Sequence, residues 1–483
     1  MRVAFTMAPC WRLQFNLSDL YPVPRLGIGQ IASVLRDNGH AVSMVDVIAE
    51  GWTPEQFGAW AKAERAQVVG LSCTILSVRE AFAFCAAAKD SIPGVVTVVG
   101  GPGVGGWKPE ELFQYGGDAV DYFVRGEGEQ AMRELLEVLE HGGDLGTVAN
   151  LMWRDGAGCH ENRKSGLLDL GPLPSPAWDL MPMEKYRLHP PWGAHPYATV
   201  METARGCTYP CNFCCLSRPV KERSVDWIVE ETMRLHRAYG LREIHFVDPT
   251  FTLDADRARE VGRALKSLPF DLHWTCKTRV DHIDGRLAED LADAGCYGIA
   301  FGVESGADLV LAQMKKKLMI ETTREAFKAC KTSGIRTIAY CLVAGPAEND
   351  ETVQSTVKFM REIEADYVLY GVVDPDPANA LTRQSIAQGH FTHEDLAEFY
   401  LGEGNSRFQT TTVTGYPVDQ AQAWLKSATS DFYLRPKYMW GRVRDLRSLQ
   451  DAKNLASGGS GFLRDLVGIT RHWRKRSRER FAG

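Results

Sequence analysis

The sequence predicts an α/β protein made of two successive parallel-sheet units and a small, mostly helical carboxyl-terminal region. The first unit is a doubly wound, Rossmann-like or flavodoxin-like sheet, and the second is a partial (β/α)6 barrel of the TIM type. Three observations lead there. Short apolar, β-branched runs alternate with helix-period stretches over two long parts of the chain, the signature of parallel sheets covered by helices. A proline-bearing stretch without that rhythm separates them at residues 147–197, and the rhythm ends near residue 373.

Residues 1–146 form the first unit. Strand-like runs fall at 2–7, 41–46, 67–72, 95–100 and 119–124, with helical patterns at 26–38, 54–63, 78–90 and 129–141. In such sheets ligands bind beyond the carboxyl ends of the strands. Three of these ends are rich in small or hydroxylated residues: Ser72-Cys73-Thr74, Gly100-Gly101-Pro102-Gly103 and Gly126-Glu127-Gly128-Glu129. Glycine at a strand end lets a ligand approach the backbone closely. Each motif alone reads as turn punctuation; the three together read as a binding face. No G-x-G-x-x-G follows the first strand, which argues against a nicotinamide or flavin cofactor.

Residues 147–197 read as a connector. Leu151-Met152-Trp153-Arg154-Asp155-Gly156 is a strand entering a hairpin turn. The prolines of Leu173-Pro174-Ser175-Pro176 and His189-Pro190-Pro191-Trp192 favour extended chain across a domain seam. From 198 to 372 the alternation resumes, with strands at 198–203, 243–247, 272–276, 298–303, 337–343 and 367–372 and helices at 225–239, 255–268, 286–294, 321–333 and 351–363. Barrels of this kind carry their active sites at the carboxyl ends of the strands. The last region, 373–483, opens on Asp374-Pro375-Asp376-Pro377, has helical patterns at 392–400 and 417–430, and ends in a basic tail at 471–478 that reads as solvated.

The loop after the first barrel strand is Arg205-Gly206-Cys207-Thr208-Tyr209-Pro210-Cys211-Asn212-Phe213-Cys214. Its C-x3-C-x2-C spacing lets a tight turn present three sulfurs to three irons of one iron–sulfur cubane. The fourth iron is then left without a protein ligand, as reactive sites require and structural sites do not. The competing reading is a zinc site or three buried thiols. Zinc favours C-x2-C units with a second pair or histidines at a distance, and no such partner pair occurs. Cys215 adjoins the last thiol and is expected to be packed, since two neighbouring residues do not suit one cubane.

Composition sets the outer bounds. A chain of 483 residues has room for about two to four domains. Hydrophobic residues at 45% and charged residues at 24% are ordinary for a globular protein, and a net charge of -6 argues against a dedicated nucleic-acid binder. Pro9 and Arg12 interrupt the first apolar run too early for a signal-peptide core. No apolar run approaches the roughly 20 residues of a membrane span. Apart from the loop, the 12 cysteines are scattered, so reduced thiols and a cytoplasmic location are expected.

Cys207, Cys211 and Cys214, with Phe213 before the last thiol, resemble the signature of radical S-adenosylmethionine (SAM) enzymes. Roughly residues 1–370 resemble the subgroup with an amino-terminal cobalamin-binding domain. Val68-Val69-Gly70-Leu71-Ser72-Cys73-Thr74, Val98-Val99-Gly100-Gly101-Pro102 and Asp121-Tyr122-Phe123-Val124-Arg125-Gly126-Glu127-Gly128-Glu129 look like that domain's motifs. Gly298-Ile299-Ala300-Phe301-Gly302-Val303-Glu304-Ser305-Gly306 looks like the family's fourth barrel strand.

The resemblance implies a 4Fe-4S cluster on the three cysteines, with SAM on the open iron. It implies cobalamin contacts from Ser72, Thr74, Gly100, Gly101, Gly126 and Glu127, and SAM contacts from Tyr209, Phe213, Asp248, Thr250, Arg279 and Glu304. Packing explains Tyr209 and Phe213 equally well, and a surface salt bridge explains Arg279. The implied activity is cleavage of SAM to a 5′-deoxyadenosyl radical and cobalamin-dependent methylation of an unactivated carbon in a small biosynthetic metabolite. The implied partners are that substrate and an electron donor such as flavodoxin or ferredoxin. Alternatives are a porphyrin-ring cyclase or hydroxylase, a radical SAM dehydratase acting on a sugar with a vestigial cobalamin domain, and, from another class, an iron–sulfur electron carrier or sensor.

The chain also departs from the family pattern. Modules that give cobalt a histidine carry D-x-H-x-x-G after the first strand, where this chain reads Ala8-Pro9-Cys10-Trp11-Arg12-Leu13. Gly103 stands where relatives often have histidine after Gly-Gly-Pro, and Asp374-Pro375-Asp376-Pro377-Ala378-Asn379 replaces a proline-glycine-threonine pattern.

Overall fold

The computed structural model describes residues 1–10, 23–186, 193, 198–216, 219–373, 375–402 and 410–444. Residues 11–13, the proline-rich 189–192, Asp374 and the basic tail lie outside the described residues.

The first unit runs β1 (Arg2–Met7), α1 (Leu26–Asp37), β2 (Ala41–Met44), α2 (Val47–Glu50), α3 (Pro54–Ala63), β3 (Val68–Ser72), α4 (Val78–Ser91), β4 (Val96–Gly100), α5 (Pro109–Gly116), β5 (Tyr122–Val124) and α6 (Gly128–His141). Its five strands pair in parallel in the order β2-β1-β3-β4-β5. Helices cover both faces, which is why the strands are apolar at consecutive positions. Val68, Val98 and Val124 share a core with Leu35 of α1 and Leu135 of α6. Val69, Val99 and Phe123 face the other way, onto Phe57 of α3 and Phe84 of α4.

The expected hairpin forms as β6 (Leu151–Asp155) and β7 (Gly158–Glu161), and β6 pairs antiparallel with β5 through Val124↔Leu151. The beginning of the connector therefore extends the first sheet and covers the open edge of its three-residue β5.

The second unit follows with β8 (Ala198–Met201), β9 (Ala204–Arg205), β10 (Lys221–Glu222), α7 (Val225–Tyr239), β11 (Glu243–Phe246), α8 (Ala255–Lys266), β12 (His273–Thr278), α9 (Gly285–Asp293), β13 (Cys296–Glu304), α10 (Asp308–Gln313), α11 (Ile320–Thr332), β14 (Arg336–Val343), α12 (Asp350–Glu362) and β15 (Tyr367–Val372). Six of the strands form one parallel sheet in the order β15-β14-β13-β12-β11-β8, and its two ends are not paired with each other. The sheet is a curled half-barrel, as the six βα repeats require. Ser224, Asp254, Asp284 and Asn349 cap α7, α8, α9 and α12 with side-chain oxygens on the first free N–H groups.

The carboxyl-terminal region is helical: α13 (Ala380–Ala387), α14 (His393–Tyr400), α15 (Val418–Tyr433) and α16 (Pro436–Arg444). α15 closes the β15 edge, where the Tyr433 hydroxyl accepts from Val368 N–H at 2.9 Å and donates to Val368 C=O at 2.7 Å. α14 reaches back to the first unit and places His393 Nε2 2.7 Å from Glu111.

Candidate functional site

The cysteine loop is anchored from beneath by Asp248, just past β11. This fully buried carboxylate accepts from Thr203 N–H at 2.6 Å, from Ala204 N–H at 3.0 Å and from the Thr203 hydroxyl. Burial pushes its pKa up to about 6 in spite of those bonds. Gly206, at φ +90°, then turns the chain into the loop, a conformation that residues with a Cβ rarely adopt.

Cys207 and Cys211 are half-buried, Cys214 is exposed, and none is in a disulfide. Burial raises the Cys211 and Cys214 thiols, the neighbouring thiols add to this, and Lys316 opposes it. Among the described residues no three His, Cys, Asp or Glu side chains converge on a single metal ion.

Four further groups hold the loop at the barrel mouth. The Arg279 guanidinium lies 3.5 Å from the centroid of the Tyr209 ring. It is fixed there by two 2.9 Å bonds to Asp281 and one of 3.1 Å to Lys316 C=O. The Tyr209 hydroxyl meets His282 Nε2. Asn212 is buried, receives Leu381 N–H of α13 on its carbonyl at 2.8 Å, and donates its side-chain N–H to Gln313 C=O at 2.9 Å. Lys316 is buried with its ammonium 2.6 Å from Glu304 and 5.9 Å from the Phe213 ring centroid.

Glu304, at the end of β13, takes φ +67°, a strained geometry for a residue with a side chain. Arg279 Nη1, Asn212 Oδ1 and Thr250 Oγ1 are buried without a protein partner. Buried polar groups are normally paired, so these three orphans around the loop fit a polar ligand held there.

The binding face expected on the first unit is a cavity of about 260 Å³. Ser72, Gly100, Gly101, Gly126 and Glu127 line it as expected, together with Phe5, Val98 and Met132, and with Glu202 and Arg205 of the second unit. Thr74 does not line it; its backbone N–H instead donates to the Ser77 hydroxyl at 3.0 Å in the turn before α4. The glycine rim leaves backbone open to a flat group, and Ser72, Glu127, Glu129, Glu202 and Arg205 supply polar groups to a ligand with hydrogen-bonding edges. At Gly103 an added Cβ would lie 2.5 Å from Thr74 O and 2.8 Å from Cys73 Sγ. That position has no room for a side chain, which accounts for the missing histidine.

Cys215, expected to be packed, is exposed, and Asp376 lies beside it. Residues 214–216 are exposed as a run.

Comparison with known proteins gives this geometry a context. A model of the Radical SAM superfamily matches residues 201–360, and a model of the B12 binding domain matches residues 17–136. An uncharacterized methyltransferase of Pyrococcus horikoshii is 30% identical over 421 residues, covering 86% of this chain and 89% of its own. The chain belongs to the cobalamin-dependent radical SAM methyltransferase family. Another relative, the cytidylyl-2-hydroxyethylphosphonate methyltransferase of Streptomyces wedmorensis, is 27% identical over 425 residues, 77% of this chain and 79% of its own. The solved structure of the radical SAM methyltransferase TsrM from Kitasatospora setae, with cobalamin and a [4Fe-4S] cluster bound, shares the fold. It superposes with a TM-score of 0.67 at 20% identity, over 81% of this chain and 79% of its own.

As a radical SAM enzyme of the B12-binding type, this protein uses a 4Fe-4S cluster, SAM and cobalamin. No helix among its described residues is long and apolar enough to cross a membrane. Four residues of its site were not singled out by sequence: Arg205, Asn212, Lys316 and His282. Lys316 sits in the run Lys315-Lys316-Lys317, which reads as a solvated face until the fold turns its middle member inward. Arg205 has one signal, its place two residues before Cys207.

Proposed function

We propose that this enzyme methylates an unactivated carbon of a small biosynthetic metabolite, with the cluster on Cys207, Cys211 and Cys214 and cobalamin over the glycine-rimmed cavity. One observation carries the reading. Arg205 belongs to both places: it lines the cavity of the first unit and opens the loop that carries the thiols. The two cofactor sites therefore abut, as a reaction that uses both in one turnover requires.

When bound, the cluster supplies the electron that splits SAM into methionine and a 5′-deoxyadenosyl radical, and cobalamin carries the methyl group. The protein's own residues bind, orient and shield. Cys207, Cys211 and Cys214 would hold three irons of the cluster. Arg279 and Tyr209 form one wall of the SAM site, the unpartnered Arg279 Nη1 being suited to a carboxylate and Thr250 Oγ1 to the amino group. Phe213, between two of the thiols, would shield the cluster. Glu304 is placed to accept from ribose hydroxyls once Lys316 turns toward a ligand anion. Ser72, Gly100, Gly101, Gly126 and Glu127 let cobalamin lie close to the backbone of the first sheet. An external one-electron donor such as flavodoxin or ferredoxin reduces the cluster.

The test is anaerobic purification of the full chain from cobalamin-fed cells, with iron and cobalt counted per chain and products followed after reduction with SAM. Methyl transfer yields both S-adenosylhomocysteine and 5′-deoxyadenosine. Absence of stoichiometric cobalt, or formation of 5′-deoxyadenosine alone, sinks the methyltransferase reading.

A further inference from the structure

The inner face of the half-barrel carries a cation that no part of the fold uses. β12 alternates strictly. Trp274 and Cys276 are buried in the apolar core on the helix side, while Thr275 meets the His245 ring at 2.6 Å on the inner side. Lys277 shares the parity of Thr275 and so also faces inward. Its register partner on β13 is Ala300, flanked on the same face by Gly298 and Gly302, so no long side chain of β13 stands directly opposite Lys277, while the Glu304–Lys316 pair fills the space over Gly302. The inner placing of that row is fixed at Gly298, where an added Cβ would lie 3.2 Å from Thr275 Cγ2.

The Lys277 side chain is reached by solvent, yet protein surrounds it closely enough that burial lowers its pKa, with Asp248 opposing. Asp248 makes no contact with it; the carboxylate accepts instead from Thr203 and Ala204. Among the described residues the Lys277 ammonium has neither a hydrogen bond nor an ion pair. Deeper in the barrel the charges satisfy one another. Tyr297 donates to Glu243 at 2.5 Å, and the His245 ring lies 2.8 Å from the same carboxylate. Lys277 is the exception. The ammonium has no acceptor on the protein, and its three donors suit an acidic oxygen group. Two residues further along the chain, Arg279 stacks on Tyr209 of the cysteine loop. Lys277 therefore lies roughly 6–7 Å deeper than that contact, below the position of the cluster.

We propose that Lys277 is the receptor for an acidic oxygen group of the substrate, a carboxylate, phosphate or phosphonate, and so sets the depth at which the reacting carbon lies under the cysteine loop. This rests on the reading of the barrel as a methyltransferase site. The substrate class is accordingly a small acid rather than a neutral lipid or a neutral sugar.

The test is acetylation of the reconstituted full-length holoenzyme, resolved by residue with peptide mass spectrometry. Inorganic pyrophosphate, inorganic phosphate and succinate serve as probes, each with and without SAM. A probe at about ten times its dissociation constant protects Lys277 about tenfold, while the exposed Lys62 is acetylated at an unchanged rate. Protection by the phosphates alone assigns a phosphate or phosphonate, and protection by succinate assigns a carboxylate. In parallel, calorimetric binding of the protective probe is lost in Lys277→Met and retained in Lys277→Arg. Protection by no probe, protection by SAM alone to which no anion adds, or unchanged probe binding in Lys277→Met each overturns the assignment. Product analysis of the wild type in the same preparation keeps the two readings apart. S-adenosylhomocysteine formed without protection overturns only the lysine assignment, and protection without that product overturns only methyl transfer.

Discussion

Replacing Arg205 with methionine keeps the packing of its stem and removes the charge that joins the two units. The guanidinium lies 2.8 Å from Glu129, 3.0 Å from Glu127 and 2.7 Å from Glu202. Glu129 is 4% exposed and Glu127 12%, whereas Glu202 is 35% exposed and contributes little. The variant leaves the first two carboxylates buried without their cation, which costs about 3–5 kcal/mol. At the lower end, amides in residues 126–129 and 202–206 exchange hydrogen roughly 100-fold faster, since about 1.4 kcal/mol is a factor of ten.

The sign with pH follows from Glu127, whose pKa burial already raises while the bond to Leu168 N–H and Arg205 hold it down. Without Arg205 the folded pKa rises further above the unfolded one. Stability is then retained below the unfolded value of about 4.5 and lost as pH rises through the folded one. Exchange measured by mass spectrometry, corrected for intrinsic rates, therefore shows a small deficit near pH 5 and the full deficit at pH 7.5. The triple variant Arg205→Met, Glu127→Gln, Glu129→Gln recovers most of the loss, because no unpaired charge remains. Wild-type exchange in Arg205→Met at pH 7.5, or a triple variant no better than the single one, would refute the reasoning.

At Gly101, φ is +92° and an added Cβ would lie 2.6 Å from Ser72 Oγ and 2.7 Å from Cys73 O. Gly101→Ala thus costs about 1–3 kcal/mol locally and lowers cobalt per chain while iron per chain holds, as metal analysis of the purified variant shows. Cys211→Ala loses iron and forms no 5′-deoxyadenosine with SAM and a reductant; retention of reductive cleavage contradicts the cluster assignment. Asp248 has a folded pKa raised from 3.8 to about 6, so its contribution is present at low pH and lost as pH rises through about 6. Between about pH 4.5 and pH 7.5 the opening free energy of the Thr203 amide falls by about 2 kcal/mol in the wild type. It stays flat in Asp248→Asn, and a parallel fall in both proteins would contradict the assignment.

The elements legible in the sequence were those whose pattern is local. Both parallel sheets could be read because each strand is a short apolar run between helices, and the cysteine loop because its ligands lie within eight residues of chain. Partners that meet only through the fold could not be read. Lys316 lies about a hundred residues beyond Phe213 and becomes a site residue because α10 ends where the cysteine loop lands. The hairpin at 151–161 was visible as a hairpin, but its attachment to β5 depends on a three-residue edge strand that local pattern barely marks. Cys215 was misjudged for a related reason. Its neighbours in sequence are ligand-like, and nothing local in the sequence marks its exposure.

The anchors of the cysteine loop come from different strand ends: Asp248 after β11, Arg279 after β12, Lys316 and Asn212's partner Gln313 after β13, and Glu127 and Glu129 from the first sheet. A cubane bound by three thiols tolerates little change in sulfur position, because it is a rigid body and the loop must present all three at once. Any one anchor fixes a point on the loop; only the set fixes its orientation toward both the barrel lumen and the cobalamin cavity. Variants of two anchors on one stretch, Asp248→Asn with Arg205→Met, act on the same three residues, Thr203 to Arg205, and their effects on iron content should be non-additive. Variants of anchors on opposite ends of the loop, Arg205→Met with Asn212→Ala, should add. That contrast separates a loop held at independent points from one that loosens as a single unit.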